Sequence, residues 1–391
     1  MTDTLMHTYS PQPVTFEKGD GVWLWDDQGK QYLDAISGIA VCGLGHAHAA
    51  VTQALCEQAG KLIHTSNLYQ VKNQQILSEQ LCALSGMEKV FFSNSGAEAN
   101  EAAIKLARLY GHKQNIQSPE IIVMEGSFHG RTMATLSATG NRKVQAGFEP
   151  LVKGFVRAPY NDLEALSAIG KNSKNVVAVL VEPVQGEGGI QIPDKHYLNG
   201  IRELCNQHGW LMMLDEIQTG MCRSGRWFAY QHNNIQPDVM TLAKGLGNGV
   251  PIGACLAKGV AANVFQPGTH GSTFGGNPLV SHVATAVLDT LSHQHADAHA
   301  ASMGQRMLTG FNEALKDLNG VVDIRGLGLL LGIELDRPCA ELVGLARDKG
   351  LLINVTAERV IRLLPPLIIT EENADQIISM VSELVRDFLS Q

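Results

Sequence analysis

Short, continuously apolar runs separated by amphipathic stretches constrain this chain more than any other feature of its sequence. Lys89–Phe92 leads into a helical pattern from about Ala97 to Tyr110; Ile121–Met124, Val176–Val181 and Trp210–Leu214 follow, each succeeded by polar or glycine-rich residues. A strand that is apolar throughout has no solvent-facing side. The pattern therefore predicts a parallel sheet covered by helices on both faces. In such sheets ligands collect beyond the carboxyl ends of the strands. After about Pro278 the texture changes to a long helical stretch and a glycine-punctuated, strand-like segment from Val321 to Leu335. Short strands are expected at Leu351–Val355 and Val360–Leu364, then a final helix from near Thr370. That helix carries Ala374, Ile377, Ile378, Val381, Leu384, Val385 and Phe388 on one face. The expected architecture is α/β: a large, mainly parallel domain over 51–278, a smaller α+β domain over 279–391, and a segment 1–50 packing with the latter.

Composition narrows the function. At 391 residues, 45% hydrophobic and 17% charged, the chain has the make-up of a globular protein large enough for two domains. A net charge of -8 with no Lys/Arg block argues against a nucleic-acid partner. Met1–Ser10 has no basic flank leading into an apolar stretch, so no signal peptide is expected, and no apolar run approaches a membrane span. The seven cysteines are scattered and never form a Cys-x-x-Cys pair, which points to free thiols in the cytoplasm and to no zinc site.

Three segments could carry chemistry. Ser93-Asn94-Ser95-Gly96-Ala97-Glu98 sits where a strand hands over to a helix; Ser95 and Glu98 have capping-box spacing, and the helix end could bind a phosphate. An ordinary helix cap has the same pattern. Leu211–Leu214 delivers Asp215 to the carboxyl edge of the sheet, where a functional carboxylate, an N-cap or a surface ion pair would all fit. Val239–Ala243 leads to Lys244, which is followed by three glycines in five residues. A lysine with an apolar approach and an exit nearly free of side chains suits a desolvated pocket, where its amine becomes a nucleophile. Pyridoxal 5'-phosphate asks for these three together: a phosphate cup, a lysine for the Schiff base, and a carboxylate facing the ring nitrogen.

These segments, with Glu182-Pro183-Val184-Gln185-Gly186-Glu187-Gly188-Gly189 and Leu214–Gly220, resemble the class III (ornithine/acetylornithine) aminotransferases from about Thr15 to the C-terminus. Ser66–Tyr69, Ser127–Thr132 and Gly271–Pro278 are most similar to the branch that acts on N-acetylornithine. The resemblance implies fold type I, a homodimer with shared active sites, and small-molecule substrates: N-acetylornithine and 2-oxoglutarate or glutamate. It also implies a set of roles. Lys244 and Asp215 are catalytic; Ser95, Gly96 and Ala97 hold the phosphate, helped by Thr273 of the neighbouring subunit. Phe128 stacks on the ring and Gln218 bonds its hydroxyl. Arg131 and Ser272 reach the substrate. Arg362 takes the second carboxylate of glutamate and pairs with Glu187 otherwise, because a buried guanidinium left unpaired costs about 3–5 kcal/mol. A purely structural Glu187–Arg362 pair would look the same in sequence.

The chain departs from the family at Cys42 (usually asparagine, near the pocket mouth), Ala49 (proline), Cys222 (glycine) and Asn248 (commonly glycine). Cys42 bears on which acyl tail is preferred. Succinylornithine, ornithine and N-succinyl-diaminopimelate are the alternative substrates. Two readings of other classes remain. His46 and His48 could open a metal-dependent hydrolase site, though no third ligand is evident. A non-catalytic relative would be expected to have lost Lys244, Asp215 or the phosphate cup.

Overall fold

A computed structural model describes residues 4–390; the first three residues of the N-terminal stretch read above, and Gln391, lie outside them. The N-terminal part forms strands β1 (Phe16–Asp20), β2 (Trp23–Asp26) and β3 (Gln31–Asp34). The middle of the chain supplies β4 (Lys89–Ser93), β5 (Glu120–Met124), β6 (Phe155–Ala158), β7 (Val176–Val181), β8 (Leu211–Asp215), β9 (Val239–Leu242) and β10 (Gly253–Ala257). They form one seven-stranded sheet in the order β4-β10-β9-β8-β7-β5-β6. Its ladders from β6 to β9 are parallel, while β10 runs antiparallel to both neighbours. The apolar runs have the cause the sequence suggests. In β8, Met212 and Leu214 enter one apolar cluster while Leu211 and Met213 enter another on the opposite face. A strand buried on both sides leaves no position for a polar residue until it ends.

The C-terminal part contains β11 (Val321–Leu327), β12 (Leu330–Leu335), β13 (Leu351–Leu352), β14 (Asn354–Thr356) and β15 (Val360–Leu363). The segment 321–335 is a hairpin turning at Gly328, whose φ of +59° suits glycine. The run 351–355 is not one strand. Leu351–Leu352 pairs in parallel with β3, whereas Asn354–Thr356 pairs with β15 in the other sheet. Periodicity could not show this, because side-chain type does not record which sheet a residue joins; the change falls at Ile353, between Leu352 and the polar Asn354. The long helical stretch after Pro278 is two helices, Pro278–His293 and Ala296–Leu315, broken at His295 with φ +49°. The final helix, Glu371–Leu389, opens on a capping box between Thr370 and Asn373.

Helix Ala296–Leu315 lies directly on the hairpin turn: a Cβ on Gly304 would run into the backbone carbonyl of Gly328. Backbone cannot yield as a side chain can, so Gly304→Ala should cost roughly 1–3 kcal/mol and lower the thermal midpoint. Gly344, in the helix Leu342–Asp348, has nothing within 4 Å of the same added carbon. Gly344→Ala should instead gain about 0.5–1 kcal/mol and raise the midpoint. Shifts of the same sign in the two variants would refute the packing assignment.

Candidate active site

Strands β4, β5, β7, β8 and β9 end at one edge of the sheet, and the antiparallel β10 begins there. The residues that follow them line a single cavity of about 410 Å³. It gathers Ser95, Gly96, Ala97, Phe128, Arg131, Glu187, Asp215, Gln218 and Lys244, with Val41 from the N-terminal part and Gly249–Ile252 before β10.

The helix Gly96–Lys113 starts at the cavity. Ser95 caps it: its Oγ accepts from Glu98 N at 3.2 Å and donates to Glu98 Oε2 at 3.1 Å. Glu98 Oε2 also accepts from Asn94 N. The serine hydroxyl is thus engaged with Glu98, while the amides of Gly96 and Ala97 have no carbonyl to reach within the helix. Gly96 packs closely here, since a Cβ there would meet the Ile217 side chain at 2.7 Å.

Asp215 is 4% exposed and held on three sides. Its Oδ2 accepts from Asn100 Nδ2 and His129 Nδ1, both at 2.8 Å, and its Oδ1 from Ile217 N at 3.1 Å. Asn100 is itself fixed, with Nδ2 donating to His129 O and Oδ1 accepting from Thr241 Oγ1, each at 2.8 Å. The aspartate side chain is therefore held in one orientation in a buried place. Glu182, at the end of β7, accepts from Phe128 N at 2.8 Å and Gly186 N at 3.2 Å, tying two cavity loops together. Burial pushes its pKa up, and the nearby Asp215 charge adds to that rise. Neither Asn100, His129 nor Glu182 was singled out from sequence. The available signal was a polar Asn100 among Ala99, Ala102 and Ala103 on the buried face of a helix.

Gln218 Oε1 is buried on the cavity wall with no hydrogen-bond partner among the described residues. Such an acceptor is costly unless something donates to it. Lys244 ends the apolar approach with φ +44°. Its amine is lowered to about 8, first by burial and then by the positive charge of Arg362, against the pull of Glu187, Asp215 and Glu182. Arg362 is 1% exposed; its Nη1 donates to Glu187 Oε1 at 2.6 Å, and its Nε and Nη2 donate to Asn354 Oδ1 at 3.0 and 2.7 Å. Asn354 is opposite Arg362 in the β14–β15 ladder and was also missed in the sequence. Arg131 is exposed, with its guanidinium 5.6 Å from the Phe128 ring centre.

Ser272 and Thr273 do not join this cavity. Ser272 Oγ accepts from Gly275 N at 2.9 Å and Asn94 Nδ2 at 3.3 Å, on a surface groove with Asn67 and Tyr69; Thr273 is exposed. His46 Nε2 is bound to Asp34 Oδ2 at 2.7 Å, a contact that raises its pKa to about 9. Among the described residues no group of three or more His, Cys, Asp or Glu side chains is placed to hold a metal ion. No helix among them is long and apolar enough to cross a membrane.

A family model for class-III aminotransferases matches residues 5–385. The acetylornithine aminotransferase of Nitrosomonas europaea is 58% identical over 385 residues, covering 98% of each chain. The ornithine aminotransferase structure from Toxoplasma gondii superposes with a TM-score of 0.96 at 34% identity, over 99% of this chain and 94% of that one. The acetylornithine aminotransferase structure from Elizabethkingia anophelis gives 0.88 at 35%, over 98% and 96%.

The setting of Lys244 can be titrated directly. In cofactor-free protein, acylation of Lys244 followed by peptide mapping should reach half its maximal rate near pH 8, because only the neutral amine reacts. Arg362→Met removes a charge that lowers this pKa and leaves Glu187 unopposed, so the midpoint should move up. A midpoint above 10 in the parent protein, or a downward move in the variant, would contradict the electrostatics.

Proposed function

The chain belongs to the class-III aminotransferases, and on that footing we propose that it moves the terminal amino group of N2-acetyl-L-ornithine to 2-oxoglutarate, giving N-acetyl-L-glutamate 5-semialdehyde and L-glutamate, a step of arginine biosynthesis. The observation that carries this reading is the Arg362–Glu187 pair at the cavity, one partner buried and the other 37% exposed. The names of the full-length relatives support the same substrate.

Pyridoxal 5'-phosphate fits the residues present. The unpartnered Gln218 Oε1 suits its ring hydroxyl, the helix start at Ser95–Ala97 its phosphate, and the Asp215 carboxylate its ring nitrogen. When bound, the cofactor supplies a protonated ring that takes up electron density as the substrate carbon loses a proton. Asp215, oriented by Asn100 and His129, holds the proton at that nitrogen. Phe128 covers the ring face, its backbone fixed by Glu182. Lys244, part neutral near physiological pH, accepts and returns the proton at the substrate carbon. Arg131 grips the substrate carboxylate through two parallel N–H bonds. N-acetylornithine reacts at its terminal amine and brings one carboxylate; glutamate brings two. Arg362 binds the second when Glu187 withdraws, and Glu187 returns to it when the other substrate is present.

Two cytoplasmic chains complete the enzyme in this reading. Asn67 Nδ2 donates to Ser272 O and Gly275 O, both at 3.1 Å, drawing the exposed Leu68, Tyr69 and Phe274 into one region beside Thr273. An exposed apolar area of that kind suits a second copy, whose phosphate cup Thr273 would reach and whose substrate Ser272 would face.

With 2-oxoglutarate as acceptor, N-acetylornithine should give a higher kcat/KM than succinylornithine, ornithine or N-succinyl-diaminopimelate; a better donor among these would replace the assignment. Glu187→Gln should slow the acetylornithine half-reaction by roughly tenfold more than the glutamate half-reaction in single turnover. Equal changes would make the pair structural. Light scattering should give twice the 42.2 kDa chain mass; a monomer would remove the shared site.

A further inference from the structure

Resting on that reaction, we propose that Asn248 sets the tail specificity of the cavity by clamping the N-terminal strap that forms its outer wall. Asn248 is a positioning residue and touches no reacting group. It is buried, and its φ of +46° is a conformation that asparagine and glycine tolerate best. Its side-chain amide is two-pronged: Oδ1 accepts from Leu44 N at 2.7 Å, and Nδ2 donates to Gly45 O at 3.1 Å. A glycine at this position could follow the same backbone but could make neither bond.

The strap it grips is under strain. Ser37, Gly38, Ile39 and Ala40 all have φ between +44° and +65°, a left-handed turn in which three residues are not glycine. Side-chained residues in that region persist only where the surroundings hold them. The holders are hydrogen bonds to neighbouring segments. Asp34 Oδ1 accepts from Ile36 N and Ser37 N, Ser37 Oγ donates to Leu364 O, and Leu367 N donates to Gly43 O. His46 exchanges backbone bonds with Gly21. Among the described residues, the Asn248 side chain hydrogen-bonds the strap to the lysine loop itself. Val41 ends the strained turn and lines the cavity; Gly249–Ile252, which follow Asn248, line it as well. One side chain thus fixes the distance between two walls, and a donor whose far end differs only in its acyl group is sorted where such walls meet.

The test is Asn248→Gly, which retains the left-handed backbone. Hydrogen exchange on the purified protein should show amides of residues 41–46, Leu44 above all, exchanging at least tenfold faster than in the parent. The KM for N-acetylornithine should rise, the KM ratio of succinylornithine to N-acetylornithine should fall at least threefold, and kcat should stay within about twofold. Unchanged exchange would overturn the clamp. Faster exchange with an unchanged ratio would overturn the specificity role. A parent protein that turned over neither acylornithine would defeat the proposed function instead, and the exchange measurement would still decide the clamp.

Discussion

A parallel sheet leaves the carboxyl ends of its strands together at one edge, and here that edge is the foundation of the cavity. The strands are largely apolar because both faces are covered, so the polar side chains of the cavity gather at and near the points where the strands stop. Asp215 is the last residue of β8, Glu182 follows β7, and Lys244 comes two residues after β9. The helix Gly96–Lys113 is bound into the same edge by the hydrogen bonds of Asn100 to Asp215 and Thr241. Sheet and helix are therefore joined by a polar contact at the point where the chemistry is proposed, while apolar packing joins them elsewhere.

The charges gathered at that edge restrain one another. Burial alone disfavours every one of them in its ionised form. Asp215 accepts from three donors, one of which, the Asn100 amide, is itself fixed by Thr241 and the His129 carbonyl. Lys244 is relieved less: burial first, and then the charge of Arg362, outweigh the pull of Glu187, Asp215 and Glu182, and its amine falls to about 8. The same arrangement that stabilises the carboxylate thus leaves the lysine able to give up a proton. A lysine with a close carboxylate partner would be held protonated and would serve neither as nucleophile nor as base.

Sequence patterning was informative where a physical rule links one residue to its immediate surroundings. The apolar approach and glycine exit of Lys244, the carboxylate ending β8, and the serine at the helix start all converge on one cavity. It was silent where the link is made across the fold. Asn100, His129 and Asn354 are ordinary polar residues until folding places them beside Asp215 or Arg362. The run 351–355 looked like one strand because hydrophobicity does not record which sheet a residue joins. The family resemblance supplied the Glu187–Arg362 pairing, which lies across 175 positions of chain and has no local pattern. Ser272 and Thr273 stand apart from the cavity in a single chain; a role for them depends on a second copy, which no periodicity within one chain reveals.

The geometry of Arg362 explains how one cavity could serve two substrates without stranding a charge. Its guanidinium is 1% exposed, and losing every partner would cost several kcal/mol, on the order of 3–5. Two of its nitrogens are spent on Asn354 Oδ1, a neutral acceptor fixed opposite it in the sheet. Only the third, Nη1, goes to Glu187, whose side chain is 37% exposed. The two kinds of partner do different work. In the proposed reaction the amide would orient the guanidinium throughout, and the carboxylate would neutralise it exchangeably. Because Glu187 is already partly hydrated, its departure restores solvent to a group that had not fully lost it, so the swap costs less than opening a buried pair. On the proposed function, a substrate carboxylate arriving at Nη1 would meet a donor already aimed by Asn354. Had both partners been carboxylates, the site would have held its arginine too tightly to release it; had both been amides, the charge would have had no counterpart between substrates.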